Sequence, residues 1–196
     1  MSTNTSFNYY EFRFVKNYYA KDNSISKKLY SFKSPKTKQD YFLWVEFYPY
    51  SFIAIKFHLK SHRHSKNKYH KLTDYNEARP IIFTCLKILL EVNSEFNTHS
   101  FGFIGANTND WIKRKNKYGV FERKKIVEPE YNTKRYNRYK RILITFISEK
   151  DFVHVQNKDK SAYLLLRRSQ LEQNPNLEND IMLYFADNFD TLMENS

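Results

Sequence analysis

The sequence predicts an α+β fold built on a mainly antiparallel sheet, and three observations carry that expectation. Aromatic and β-branched residues alternate with polar ones in several short runs. Longer stretches repeat apolar residues at helical spacing. No Gly/Ser or Pro-rich linker divides the 196 residues, which hold only three glycines and five prolines. One domain spanning residues 1–196 is therefore expected, with elements in the order β-β-β-α-β-α-β-β, two helices packed on the sheet and a terminal amphipathic helix.

Tyr9 to Val15 alternates Tyr, Phe and Phe with polar residues and reads as the first strand. Residues 21–39 are polar, contain Ser34-Pro35 and read as mostly loop. Residues 41–48 and 51–59 are two aromatic and β-branched runs joined at Pro49-Tyr50, which predicts an antiparallel hairpin turning at the proline. After the basic segment 60–72, Thr73 or Asp74 is placed to cap a helix that continues to about Phe96. Pro80 fits only in a first turn, which moves the start toward Ala78. Ser100 to Ala106 is a short apolar run with two glycines, as in a central strand that another backbone or a ligand approaches closely. Residues 107–131 read as a long basic loop. Asn132 or Thr133 is placed to cap a helix to about Ile147, with Tyr136, Tyr139, Ile142, Leu143 and Phe146 facing the core. Strands at 152–156 and 162–166 follow. In the acidic segment 177–196, residues 179–193 place Ile181, Tyr184, Phe185, Phe189 and Leu192 at helical spacing.

The charge is +12, and residues 170–196 hold six acids with no Lys or Arg, so the remainder carries +18. A field of that size draws nucleic acid, anionic lipid or an acidic protein and speeds encounter at low salt. No stretch approaches the roughly 18 apolar residues of a membrane span, and the N-terminus lacks a charged segment followed by an apolar one. The lone Cys85 lies within an apolar run and has no partner for a disulfide inside the chain. These features point to a cytoplasmic protein outside the membrane.

The positive charge is concentrated. Lys113, Arg114, Lys115, Lys117, Arg123, Lys124 and Lys125 cluster in a segment that also holds Trp111, Tyr118 and Phe121. That mixture suits neutralising phosphates and stacking bases. Lys134, Arg135, Arg138 and Arg141 recur at helical spacing beside it, and Arg bridges phosphate oxygens in bidentate fashion. The expected function is a small basic binding protein that contacts nucleic acid or another polyanion through this surface and needs no cofactor.

The element order, together with Asn132-Thr133-Lys134-Arg135-Tyr136-Asn137-Arg138-Tyr139-Lys140-Arg141, resembles the core of the GNAT acyltransferase superfamily. Many such enzymes open their last core helix with Asn and place Tyr seven residues later, followed by basic residues. The resemblance implies an acyl-CoA-dependent N-acyltransferase that takes acetyl-CoA, held near Gly105 and Asn132, with Tyr139 as general acid to the departing thiolate. The family's pyrophosphate cradle needs a Gly-rich turn, and residues 58–76 hold no glycine. The series SFGFIGA, NTKRYNRYKR and SAYLLL also looks like small uncharacterised bacterial families without assigned activity.

A third class is a protein-interaction module, such as a toxin partner or an inhibitor, using the aromatic surface and the acidic end. His58, His62, His64 and His70 lie close in sequence, but their spacing matches no zinc signature and no metal is expected there.

Overall fold

The computed structural model describes residues 8–71, 77–115 and 117–194, without the side chains of residues 104, 109, 111–115, 124 and 189–194. Four strands open the chain: β1 Phe12–Tyr19, β2 Ile25–Lys33, β3 Asp40–Tyr48 and β4 Phe52–Leu59. They form an antiparallel meander. The turn from β3 to β4 falls at Pro49-Tyr50-Ser51, where Tyr50 and Ser51 adopt φ of 62° and 48°. The expected hairpin is thus present, but residues 21–39, expected to be mostly loop, hold the nine-residue strand β2 at their centre. β2 occupies a place between β1 and β3, and a fourth strand precedes the first helix.

The reason lies in the partners its lysines find. Tyr30 and Phe32 face the main core, whereas Lys28 on the same side reaches Glu95 and lies 4.8 Å from the Phe96 ring centroid. Lys27, on the other side, pairs with Glu46 of β3 at 3.1 Å. Cross-strand and tertiary pairing makes a lysine-rich segment acceptable as a central strand.

Helix α1 (Ala78–Glu95) follows, with Pro80 in its first turn as expected. The expected caps Thr73 and Asp74 lie outside the described residues. Strand β5 (Ser100–Ile104) then joins β4 in parallel over Phe52–Ala54, and an α-helical crossover is what a parallel junction requires. Residues 107–131 form two strands rather than a loop: β6 Asn109–Lys115 and β7 Phe121–Val127 pair as a separate antiparallel ribbon. Helix α2 (Lys134–Phe146), β8 (Phe152–Asn157) and β9 (Ala162–Arg167) complete the sheet, in the order β1-β2-β3-β4-β5-β9-β8. A short helix α3 (Arg168–Gln173), which the sequence pattern does not announce, leads to the terminal helix α4 (Leu177–Glu194).

Alternation along β4 sets the layers. Ile53 and Ile55 point to the core shared with α1 and α2, where Ile81, Leu89, Tyr136 and Leu143 pack. Phe52 and Ala54 point the other way, to Leu164, Leu166, Leu177 and Ile181 under α4. Gly102 makes room on that second face, since a Cβ there would lie 2.2 Å from the Phe52 ring. No helix among the described residues is long and apolar enough to cross a membrane.

The start of α1 is tied to the meander through Glu77, which is 2% exposed. Tyr10 and Thr37 hydroxyls donate to its carboxylate at 2.9 Å each, and Ser34 donates to it as well. Burial pushes its pKa up, yet the hydroxyl donors Ser34, Thr37 and Tyr10 outweigh burial and hold it below the ordinary range.

Candidate nucleic-acid interface

Between residues 107 and 141 the chain carries twelve Lys and Arg against four acids. The ribbon organises the first part of that charge. β6 and β7 pair with each other, and among the described residues they do not pack extensively on another element. Pairing brings residue 113 opposite Arg123, 115 opposite Phe121 and 111 opposite Lys125. Directly opposed residues of an antiparallel pair share a face. The register therefore collects the positions of Trp111, Lys113, Lys115, Phe121, Arg123 and Lys125 on one side of the ribbon. The side chains of Trp111, Lys113, Arg114, Lys115 and Lys124 lie outside the described residues.

The remaining cations of the ribbon, Lys117, Arg123 and Lys125, are exposed. So are the rings of Tyr118 (77%) and Phe121 (66%), and that of Tyr131 (62%) just beyond β7. Three large aromatic rings thus stand in water among cations, close together along the chain rather than scattered singly. At the tip, Gly119 adopts a φ of 79°, the left-handed conformation a tight turn demands.

Ribbon and helix meet at Glu128. Its backbone N–H donates to the Thr108 carbonyl at 2.8 Å, and its carboxylate accepts from the Lys134 N–H at 2.6 Å and the Thr108 N–H at 3.2 Å. A carboxylate on the first turn of α2 also complements the helix dipole. Asn107 adds a link, donating to the Glu128 carbonyl at 3.2 Å while its side-chain oxygen meets His70 Nδ1 at 2.7 Å. The ribbon is thus pinned at its root.

On α2, Lys134, Arg138 and Arg141 are exposed and spaced along one stripe. Arg135 is committed elsewhere: its guanidinium donates to the carbonyls of Tyr69 and Lys71. Burial lowers its pKa, a fixed structural use of a cation placed by the sequence pattern on the stripe. No ion pair between described residues joins an acid of α4 to a Lys or Arg of 117–141.

Of the residues of the acyltransferase resemblance, Gly105 and Tyr139 are buried and Asn132 is exposed. Thr133, not Asn132, caps α2, accepting from the Tyr136 N–H at 3.1 Å and donating to the Gly105 carbonyl at 2.6 Å. Asn132 takes a φ of 49° and accepts from Asn137 at 3.0 Å. A Cβ on Gly105 would stand 2.4 Å from the Tyr136 backbone nitrogen, so the first turn of α2 fills the space before that glycine. Tyr139 is 8% exposed and packs on Phe103, and burial raises its phenol pKa.

Sequence reasoning missed a second cluster, on the α4 side of the sheet. Glu46 is 2% exposed and meets Lys56 Nζ at 2.7 Å as well as Lys27, and it accepts from the Tyr48 hydroxyl. The signal was present: a hairpin turning at Pro49 places a lone Glu in one apolar run diagonally across from a lone Lys in the other.

No family model, curated protein or solved structure matches this chain.

Proposed function

We propose that this protein binds nucleic acid without strong sequence preference, through the β6–β7 ribbon and the adjoining stripe of α2. One observation carries the reading: a cationic ribbon, packed mainly on itself, displays Tyr118 and Phe121 beside Arg123 and Lys125. Lys and Arg neutralise phosphates and release counterions, which supplies affinity independent of sequence. Exposed rings add stacking worth about 1–3 kcal/mol per base, and stacking needs unpaired bases. Single-stranded nucleic acid is therefore the preferred form, although a two-stranded ribbon also fits a duplex major groove.

Fluorescence anisotropy with a labelled single-stranded oligonucleotide tests this. Binding at low salt, weakening linearly in a log–log plot against salt, is expected, with a weaker duplex competitor. Unchanged anisotropy at low salt removes the reading.

A second reading, an acetyl-CoA-dependent N-acyltransferase, is favoured by the parallel β4–β5 junction, which pairs over three residues from Phe52 to Ala54 before ending. A closed Gly105 and a core Tyr139 place it behind the first. It requires a saturable thermal shift with acetyl-CoA, and Tyr139→Phe lowering turnover more than binding.

A further inference from the structure

The main sheet ends at β1, which among the described residues pairs with β2 alone. Between this edge and α1 runs a groove of about 500 Å³. Tyr9, Glu11, Phe12 and Phe14 line one side and Lys87 and Glu91 of α1 the other, with Tyr30 of β2, 6% exposed, at the base. The Phe12 and Phe14 rings stand at 69° and 71° to that of Tyr30, with centroids 6.2 and 5.7 Å away. Tyr9 and Phe14 keep 41% and 50% of their surface in water. Four rings thus border one open space.

The two sides are fixed to each other. Tyr10 donates its backbone N–H to Thr84 Oγ1 and its hydroxyl to Glu77, each at 2.9 Å, which ties the chain between Tyr9 and Glu11 to α1. Lys87 and Glu91 follow Thr84 at helical spacing and share its side of the helix. A groove fixed in this way loses little freedom when a guest enters.

Charge in the groove runs against that of the chain as a whole. Glu11 and Glu91 are exposed, and neither is in an ion pair with a described residue; the same holds for Lys87. Arg13, the next cation along β1, bonds Ser31 on the opposite face of the sheet at 3.2 Å. A guest therefore meets two carboxylates against one ammonium. Burial first, and then Glu95 and Glu91, push the Tyr30 phenol up to about 12, so a neutral ring forms the base.

We propose that this aromatic groove, flanked by Glu11 and Glu91, binds a quaternary ammonium group, carried by a small molecule or by a trimethylated lysine side chain. The faces of aromatic rings attract a cation. Replacing N–H by methyl removes the tightly held water that keeps a primary ammonium in solution. Glu11 and Glu91 attract such a cation through space, with no hydrogen bond needed from a group that cannot donate one. The same two carboxylates turn away the anions that the rest of the surface draws in. The site uses no residue of the ribbon or of α2, so it stands or falls apart from nucleic-acid binding.

Calorimetric titration of the intact protein with choline, and with a peptide carrying trimethyllysine, tests the site. Saturable binding is expected, roughly 3- to 30-fold weaker in Phe14→Leu, which keeps an apolar side chain but removes a ring. The Glu11→Gln, Glu91→Gln pair, which leaves Lys87 as the groove's charge, should weaken binding by about fivefold, with an unchanged thermal melt because both side chains are exposed. The neutral carbon isostere of choline should bind more weakly than choline, and so should ethanolamine, its unmethylated counterpart. Tighter binding of the peptide than of choline identifies a modified polypeptide as the natural source, and equal or weaker binding identifies a small molecule. No saturable heat with either ligand overturns the proposal. So does a neutral isostere that binds as tightly as choline, or an affinity that is unchanged in a folded Phe14→Leu variant.

Discussion

The two cationic regions of this molecule use the same residue types under opposite conditions. Along the ribbon and α2, Lys117, Arg123, Lys125, Lys134, Arg138 and Arg141 stand in water, where each charge is screened and adds little to folding. Around Glu46, Lys56 and Lys27 flank a carboxylate that is 2% exposed, and each charge there depends on the others. The difference teaches that a lysine's role is set by its solvent. Exposed cations are screened and answer to salt, whereas buried ones fix the sheet and answer to pH.

The largest effect that would break this comparison comes from the buried region. Glu46→Ala leaves Lys56 and Lys27 without their carboxylate and should cost about 3–5 kcal/mol, read as a shift in urea midpoint. A cost below about 1 kcal/mol would mean that the cluster is hydrated and not a buried network.

Next comes Gly105→Ala, which forces a Cβ against the Tyr136 backbone and should cost about 1–3 kcal/mol by displacing the first turn of α2. The same variant should also lower oligonucleotide affinity, because the displaced turn carries Lys134 and its bond to Glu128.

Acid titration sharpens the contrast further. The pKa values of Glu46 and Glu77 lie below their ordinary values, Glu46 because Lys56 and Lys27 outweigh burial, Glu77 because hydroxyl donors do. Such groups bind fewer protons folded than unfolded. Their stabilisation is complete above an ordinary Glu pKa of about 4.3 and disappears as pH falls from there toward their folded values. Glu77→Gln should therefore flatten the acid limb of the stability profile and cost up to about 3 kcal/mol near neutral pH. An acid limb identical to wild type would contradict the role given to the hydroxyl cluster.

The smallest expected change in stability belongs to the ribbon. Arg123→Gln with Lys125→Gln should alter stability by no more than about 0.5 kcal/mol in a thermal melt, since both side chains are exposed.

Legibility in the sequence followed burial. The β3–β4 hairpin, α1 and α2 were readable because their apolar residues recur with the period of the element, and Pro49, Pro80 and Thr133 mark local boundaries. β2 was hidden because Lys27 and Lys28 interrupt its pattern, and both are rescued by acids distant in sequence, Glu46 and Glu95. The ribbon was hidden for a different reason: Phe121 and Val127 are exposed, so among the described residues of β7 no buried apolar face imposes alternation, and backbone pairing defines the strands. For the same reason the basic residues were legible as a cluster but not as a face. The inward turn of Arg135 depends on the carbonyls of Tyr69 and Lys71, which spacing on a helix does not reveal.

The central claim rests on the ribbon as the nucleic-acid surface, and the salt dependence of single-stranded oligonucleotide binding tests it most directly. Relative to wild type, the Arg123→Gln, Lys125→Gln pair should show a log–log slope shallower by about 0.7 for each phosphate no longer neutralised, with folding intact. An unaltered slope in a folded double variant would assign phosphate binding to another part of the protein.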